Sequence, residues 1–178
     1  MFQKQKALFL DRDGVINIDH GYVSKIDDFE FTDGIFPLLH LFVKHNYLLF
    51  IVTNQSGIGR GYYSSENFET LTTYMLNEFL KKGINIISVE HCPHAPEENC
   101  ACRKPQTGMV NEILSQHEIN LDYSWLIGDK QSDIDLAHNA NIAHTIAMGE
   151  REISNSTFSF KTILECKDYM VVNKDRII

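Results

Sequence analysis

The chain is predicted to be an α/β protein with a doubly wound, Rossmann-like parallel sheet, and three observations carry that expectation. Short apolar runs alternate with longer segments whose apolar residues recur at helical spacing, an order that calls for parallel strands joined by helical crossovers. The most regular runs, Ala7-Leu8-Phe9-Leu10 and Tyr47-Leu48-Leu49-Phe50-Ile51-Val52-Thr53, are apolar almost throughout. Strands covered on both faces by helices have this pattern. Several runs give way abruptly to Asp, Asn and Gly, so polar loops leave one edge of the sheet. At 178 residues the chain suits one domain, 1–178, large enough to bury a substantial core. No internal repeat, low-complexity tract or linker divides it.

The first strand, 7–10, ends in the tight loop Asp11-Arg12-Asp13-Gly14. A helix is expected over 34–45, with Asp33 as N-cap and Pro37 tolerated only in the first turn. The second strand is 47–53. Ser64 opens a long helix in which Phe68, Leu71, Met75, Leu76, Phe79 and Leu80 form an apolar stripe, and Gly83 ends it. Then follow a strand at 86–90, a helix at 109–117, a strand at 125–127, a helix at 133–139 and a strand at 143–147. The stretch from Ser154 is the hardest to read; Tyr169-Met170-Val171-Val172 is taken as a short edge strand.

A formal net charge of −8 and a pI near 5.4 argue against nucleic acid or an anionic membrane as partner, since both require a basic surface. No stretch reaches the length of a membrane span. Residues 1–6 lack the apolar core of a signal peptide, so a cytoplasmic location is expected. Three of the four cysteines fall within eleven residues. In a reducing compartment such clustering reads as metal binding.

Four constellations carry chemistry. Asp11 and Asp13 stand at a strand's carboxyl end, where open α/β sheets bind ligands. Paired carboxylates repel each other, which favours a hard cation such as Mg²⁺ between or beside them. The loop Thr53-Asn54-Gln55-Ser56-Gly57-Ile58-Gly59-Arg60-Gly61 leaves the same edge, and its three glycines in five residues permit close approach to a ligand. Thr53 and Arg60 offer a hydroxyl and a cation to an anion; the Walker ending is absent.

The third constellation is the loop 92–102, where Cys92-x-His94-x₅-Cys100-x-Cys102 supplies four soft or borderline ligands suited to tetrahedral Zn²⁺. All four positions come from protein, so that site is structural; His91 is the competing imidazole, at the strand end. Arg103 and Lys104 follow directly, a forked and a point cation that the knot would place. The fourth is Gly128-Asp129-Lys130-Gln131-Ser132-Asp133. Asp129 is the better metal ligand there, because Asp133 can be explained as a first-turn helix acid.

Taken in order, Asp11-Arg12-Asp13-Gly14, Thr53-Asn54, Lys104 and Gly128-Asp129 through Asp133 resemble the haloacid dehalogenase superfamily of phosphotransferases. Asp19-His20-Gly21-Tyr22-Val23, Asp28-Phe29-Glu30-Phe31, Asn54-Gln55-Ser56-Gly57-Ile58, Cys92-Pro93-His94, Cys102-Arg103-Lys104-Pro105 and Gly108-Met109 narrow the resemblance to the D,D-heptose 1,7-bisphosphate phosphatase family. That likeness implies a fold without a large cap domain and a role in nucleotide-heptose and lipopolysaccharide precursor biosynthesis. It implies Asp11 as nucleophile, Asp13 as acid and base, and Thr53 and Lys104 on the phosphoryl oxygens. Asp11, the Asp13 backbone carbonyl and Asp129 would hold a catalytic Mg²⁺. Asp19, His20, Gly21, Tyr22, Asn54, Gln55, Ser56, Arg60, Arg103 and Lys130 would meet a sugar bisphosphate, and the protein would act as a monomer. The His94–Cys100 spacing also fits histidinol-phosphate phosphatases, which stay the alternative in the same class. A catalytically inactive, zinc-stabilised binding protein is the alternative of another class.

Overall fold

The computed structural model describes residues 4–173, 175 and 177. The start of the N-terminal reading (1–3) and residues 174, 176 and 178 of the C-terminal stretch lie outside the described residues. The strands are β1 (Lys6–Leu10), β2 (Tyr47–Asn54), β3 (Ile86–Cys92), β4 (Trp125–Gly128), β5 (His144–Met148) and β6 (Phe158–Phe160). The helices are α1 (Ile35–Lys44), the single turn α2 (Ser56–Gly59), α3 (Ser65–Lys81), α4 (Gly108–Gln116), α5 (Gln131–Asn139) and α6 (Ile163–Val172).

The strands join in the order β3-β2-β1-β4-β5-β6, and every neighbouring pair is parallel. All carboxyl ends therefore share one edge. Strand order reverses between β1 and β4, which opens a crevice beyond their ends.

Alternation along the strands divides the core in two. Leu8, Leu10, Leu49, Ile51, Trp125 and Ile127 pack on one side with Leu38 and Phe42 of α1, Met75 and Phe79 of α3, and Met170 of α6. Ala7, Phe9, Phe50, Val52 and Leu126 pack on the other with Val110 and Ile113 of α4 and Leu136 of α5. Both faces of each central strand are thus buried, which is why their sequences are apolar throughout. Trp125, wholly enclosed and stacked on His144, anchors the first layer; truncation to Ala would cost about 3–5 kcal/mol.

Helix α3 begins as its sequence indicates: Ser64 Oγ accepts from Asn67 N (3.1 Å) and Asn67 Oδ1 accepts from Ser64 N (3.0 Å). Phe68, Leu71, Met75 and Phe79 are buried, whereas Leu80 lies exposed and outside the stripe. Two local expectations are corrected. Asp33 does not cap α1; the N-cap is Gly34, because Thr32 donates to Val15 O (2.6 Å) and so sets the chain's entry. Residues 169–172 are helical, not an edge strand. Thr162 caps α6 (Oγ1 from Glu165 N, 3.1 Å), and Ile163, Cys166 and Met170 face the core at helical spacing. Four residues are too short a window to show that period. The edge position belongs instead to β6, only three residues long.

Candidate active site

Asp11 leaves the end of β1 between β2 and β4, and its amide donates to Ile127 O (2.9 Å). Its carboxylate is buried. Oδ1 lies 2.8 Å from Lys104 Nζ and accepts from Arg12 N at 2.8 Å. Lys104 is itself buried, its ammonium also 2.5 Å from Asp133 Oδ1 and 3.0 Å from Val52 O. A lysine enclosed this way is tolerable only because acceptors surround it. Burial works against its charge, but Asp11 and Asp133 outweigh burial and hold its pKa above the ordinary lysine value. Burial would likewise raise the Asp11 pKa, yet Lys104 and Lys130 bring it below the carboxylate norm. Asp11 is therefore an anion at neutral pH, as a nucleophile must be.

Two glycines allow these carboxylates to converge. Gly14 has φ +87°, and a Cβ there would stand 2.6 Å from the Asp129 carboxyl carbon. A Cβ on Gly128 would fall 2.1 Å from Asp133 Cβ. Any side chain at either position would push the acids off the sheet edge. Asp11, Asp129 and Asp133 can each place an oxygen within 4.8 Å of the others.

The residues fit a divalent cation on two grounds. Asp129 Oδ1 is buried without a hydrogen-bond partner, while Oδ2 accepts from Arg151 Nη1 at 2.8 Å. Burial and the neighbouring Asp11 charge push the Asp129 pKa up to about 7. Positive charge is thus short at that one acid, and an oxygen-seeking cation would supply it.

Asp13 points away from this cluster. Its side chain accepts from Arg12 Nη2, Asn17 Nδ2 (3.1 Å) and Gln55 Nε2 (3.0 Å). Thr53 is buried, its Oγ1 accepting from Gln55 Nε2 at 2.8 Å. Asn54 clamps the Lys104 backbone: Oδ1 accepts from its amide (3.0 Å) and Nδ2 donates to its carbonyl (3.4 Å).

A cavity of about 370 Å³ opens beside these groups, lined by Asp13, Asp19, Gly21, Tyr22, Asn54, Gln55, Ser56, Tyr63, Arg103, Lys104, Lys130 and Ser132. Most of the predicted substrate-facing residues meet there. His20 instead lines an adjoining cavity of about 440 Å³ with Asp27, Asp28 and Glu30, which shares Gly21 and Tyr22 with the first. Arg60 is exposed and lines neither. Lys130 Nζ lies 3.8 Å from Asp19 Oδ2 and 3.7 Å from Asp129 Oδ1, between the carboxylate cluster and the cavity.

Sequence reasoning missed Arg151, Tyr63 and Ser132 and undervalued Asp133. Position alone could have flagged Arg151: it follows β5, whose end shares the same sheet edge. Asp133 serves two structural purposes, since Oδ2 accepts from Lys130 N at 3.0 Å as a helix cap while Oδ1 grips Lys104.

The Cys/His loop lies beside this edge. Cys92 Sγ, His94 Nδ1, Cys100 Sγ and Cys102 Sγ form a cluster with separations of 3.1–3.5 Å. Ligands bound tetrahedrally to one Zn²⁺ would stand about 3.3–3.8 Å apart. His94, not His91, is the imidazole of the cluster; the His91 ring lies against Phe68, centroids 4.2 Å apart. Cys92 O accepts from Gln55 N (2.7 Å) and Pro93 O from Gly59 N (2.8 Å), joining this loop to the one after β2. Arg103 Nη1 reaches His94 O at 3.4 Å.

Comparison with known proteins agrees with this geometry. A HAD-hydrolase-like family model matches residues 101–150. The chain is 49% identical over 167 residues to a D-glycero-alpha-D-manno-heptose-1,7-bisphosphate 7-phosphatase of Campylobacter jejuni, covering 93% of this chain and 96% of the relative. It is 46% identical over 165 residues to a D-glycero-beta-D-manno-heptose-1,7-bisphosphate 7-phosphatase of Helicobacter pylori, covering 92% and 93%. Its fold superposes with a TM-score of 0.82 on a D,D-heptose 1,7-bisphosphate phosphatase from B. bronchiseptica solved with magnesium and phosphate, at 22% identity and covering 94% of this chain and 99% of that one. With relatives this similar over nearly its whole length, the chain belongs to the heptose-1,7-bisphosphate 7-phosphatase family of haloacid-dehalogenase-like phosphatases.

Proposed function

We propose that this protein removes the 7-phosphate of D-glycero-D-manno-heptose 1,7-bisphosphate through an aspartyl-phosphate intermediate. The observation that carries the reading is Asp11: a buried carboxylate kept anionic by Lys104 2.8 Å away, beside a cavity that presents Arg103 and Lys130. Lys104 and the Arg12 amide both meet the Asp11 carboxylate at Oδ1, which leaves Oδ2 to attack phosphorus. Asp13 gives its proton to the departing sugar oxygen, then takes one from the water that cleaves the intermediate. Thr53 and Lys104 hold phosphoryl oxygens as charge redistributes. Arg103, Lys130 and the Asp19–Tyr22 loop receive the sugar and its remote phosphate, whose binding energy positions the reacting group.

A catalytic Mg²⁺ held by Asp11, Asp129 and the Asp13 backbone carbonyl would supply positive charge to the phosphoryl oxygens. Zn²⁺ on Cys92, His94, Cys100 and Cys102 would order the loop that delivers Arg103 and Lys104. In this reading the protein acts as a monomer. The cysteines are free thiols, consistent with a reducing cytoplasm.

Phosphate release from the α- and β-anomers of the heptose bisphosphate and from histidinol phosphate, each with Mg²⁺, tests the reading. One heptose anomer should exceed histidinol phosphate in kcat/KM by about 100-fold or more, since a remote phosphate would fail to engage only in the latter. Equal or better turnover of histidinol phosphate would refute the substrate assignment.

A further inference from the structure

Arg12 is among the largest fully buried side chains, at 1% relative exposure, yet only one of its three guanidinium nitrogens has partners. Nη2 donates to Asp13 Oδ1 and Oδ2, both at 2.9 Å, and to Val23 O at 2.7 Å. Nε and Nη1 are buried with none, and Cζ lies 5.8 Å from the centre of the Phe68 ring. A buried guanidinium with two idle nitrogens is a costly way to fill space; an apolar side chain of similar bulk would serve stability as well or better. Stability therefore does not account for an arginine here.

Its partners do. Asn17 and Gln55 also donate to Asp13, and the Gln55 amide is oriented by Tyr63, whose hydroxyl donates to Oε1 at 2.6 Å. Both amides are neutral. Among the described residues, Arg12 is the one cation bonded to Asp13, and it touches both oxygens. The Arg12 backbone is equally constrained, its carbonyl accepting from Ile16 N (2.8 Å) and Asn17 N (3.2 Å). Through Val23 O the same nitrogen also ties Asp13 to the end of the 19–23 loop, whose Tyr22 holds a left-handed backbone at φ +51°.

We propose that Arg12 is a positioning residue for proton transfer: it aims the Asp13 carboxyl at the departing oxygen and stabilises the carboxylate left behind, without touching substrate. This rests on Asp13 acting as acid and base. In the first step the Asp11–phosphorus bond forms, the bond from phosphorus to the sugar oxygen breaks, and the Asp13 proton passes to that oxygen. Arg12 then faces a full negative charge. In the second step water attacks phosphorus, the Asp11–phosphorus bond breaks, and Asp13 recovers a proton from the water.

Arg12→Met and Arg12→Lys are compared with wild type and Asp13→Asn on two substrates: the heptose bisphosphate, whose leaving alkoxide needs a proton, and 2,4-dinitrophenyl phosphate, whose leaving phenolate does not. Melting curves establish that each variant is folded. Arg12→Met should lose about 100-fold in kcat on the sugar phosphate with KM nearly unchanged. On the dinitrophenyl ester it should keep a burst of about one phenolate per enzyme at close to the wild-type rate, followed by slow turnover. Arg12→Lys should show the same pattern with a smaller loss, and it decides the matter if Arg12→Met does not fold. A burst rate on the dinitrophenyl ester that falls as far as turnover of the sugar phosphate, or no loss on either substrate, would overturn the role of Arg12. If Asp13→Asn itself loses the burst as fully as it loses sugar-phosphate turnover, the assignment of Asp13 fails instead.

Discussion

The carboxylate cluster draws Asp11, Lys104, and the pair Asp129 and Asp133 from three separate segments, whereas the cysteine–histidine cluster takes all four of its groups from residues 92–102. The first stands on strand ends and a helix start. Its backbone is held by the sheet, and its carboxylates face Lys104, Lys130 and Arg151. The second sits on a loop whose only regular structure is the short turn Pro96–Glu98. Among the described residues, its thiols bond to one another, to His94 and to backbone N–H groups of the same loop. One site is built by the fold, with the proposed Mg²⁺ left only to tune it; the other would need the proposed Zn²⁺ to hold it in shape. Removing a ligand should therefore act on chemistry in the first and on order in the second.

The largest effect is expected at the nucleophile. Asp11→Asn keeps the shape and leaves Lys104 still facing Asp133, so the fold should persist while turnover falls by at least about 10³-fold. Phosphate release and a melting curve check both halves; more than about a tenth of wild-type activity, a change of only ~1.4 kcal/mol, would refute covalent catalysis.

Asp129 gives the sharper contrast. Its pKa of about 7 lies above the 3.8 of an unperturbed aspartate. In that window the metal-free folded state binds more protons than the unfolded chain. Stability from this group is thus present at low pH and lost as pH rises from about 4 to 7. Asp129→Asn should flatten that decline and melt higher than wild type at pH 8 without metal, while requiring far more Mg²⁺ for activity. Denaturation across pH in chelator, and a Mg²⁺ titration of activity, measure the two effects. An acid-ligand variant melting below wild type at pH 8 would break the distinction between the sites.

Cys100→Ser should do the reverse: bound zinc should fall from one per chain, and the melting temperature should drop because metal binding to this loop is coupled to its folding. Activity should fall indirectly, through misplaced Arg103 and Lys104. Cys166→Ser is the control. That thiol is fully enclosed between α6 and the sheet, so the variant should lose stability yet keep its zinc, by elemental analysis.

The smallest effect concerns neither cluster. Burial holds the His144 pKa below 6.5, against Trp125, so the unfolded chain takes up the proton first. Stability from this residue is complete above pH 6.5 and declines as pH falls through the depressed value. His144→Gln should make melting temperature less sensitive to pH as pH falls below 6.5, leaving the zinc and Mg²⁺ responses unchanged.

The alternation of strands and helices, the edge to which polar loops run, and the convergence of Cys92, His94, Cys100 and Cys102 could all be read directly from the chain. Each is a local matter: period-2 and period-3.6 burial shows within a single run, and four such side chains within eleven residues can hardly avoid one another. The position of Asp11 was legible too, because it follows the apolar run Ala7–Leu10. Reading failed where a residue's meaning lay in another segment. Asp133 looked like a helix-start acid until Lys104, delivered by the loop after the Cys/His cluster, lay 2.5 Å away. Arg151 carried no signal beyond its place after β5 until it reached Asp129. His20 and Arg60 shared motifs with cavity residues, but side-chain direction, which a motif does not encode, took them elsewhere. The sequence by itself determined the layered fold and the kinds of chemistry available at its edge, because burial periodicity and ligand type are properties of neighbours along the chain. Only the tertiary structure decided which cation faces which carboxylate, because those pairings arise from strand order and from glycine-sized clearances between segments far apart in sequence.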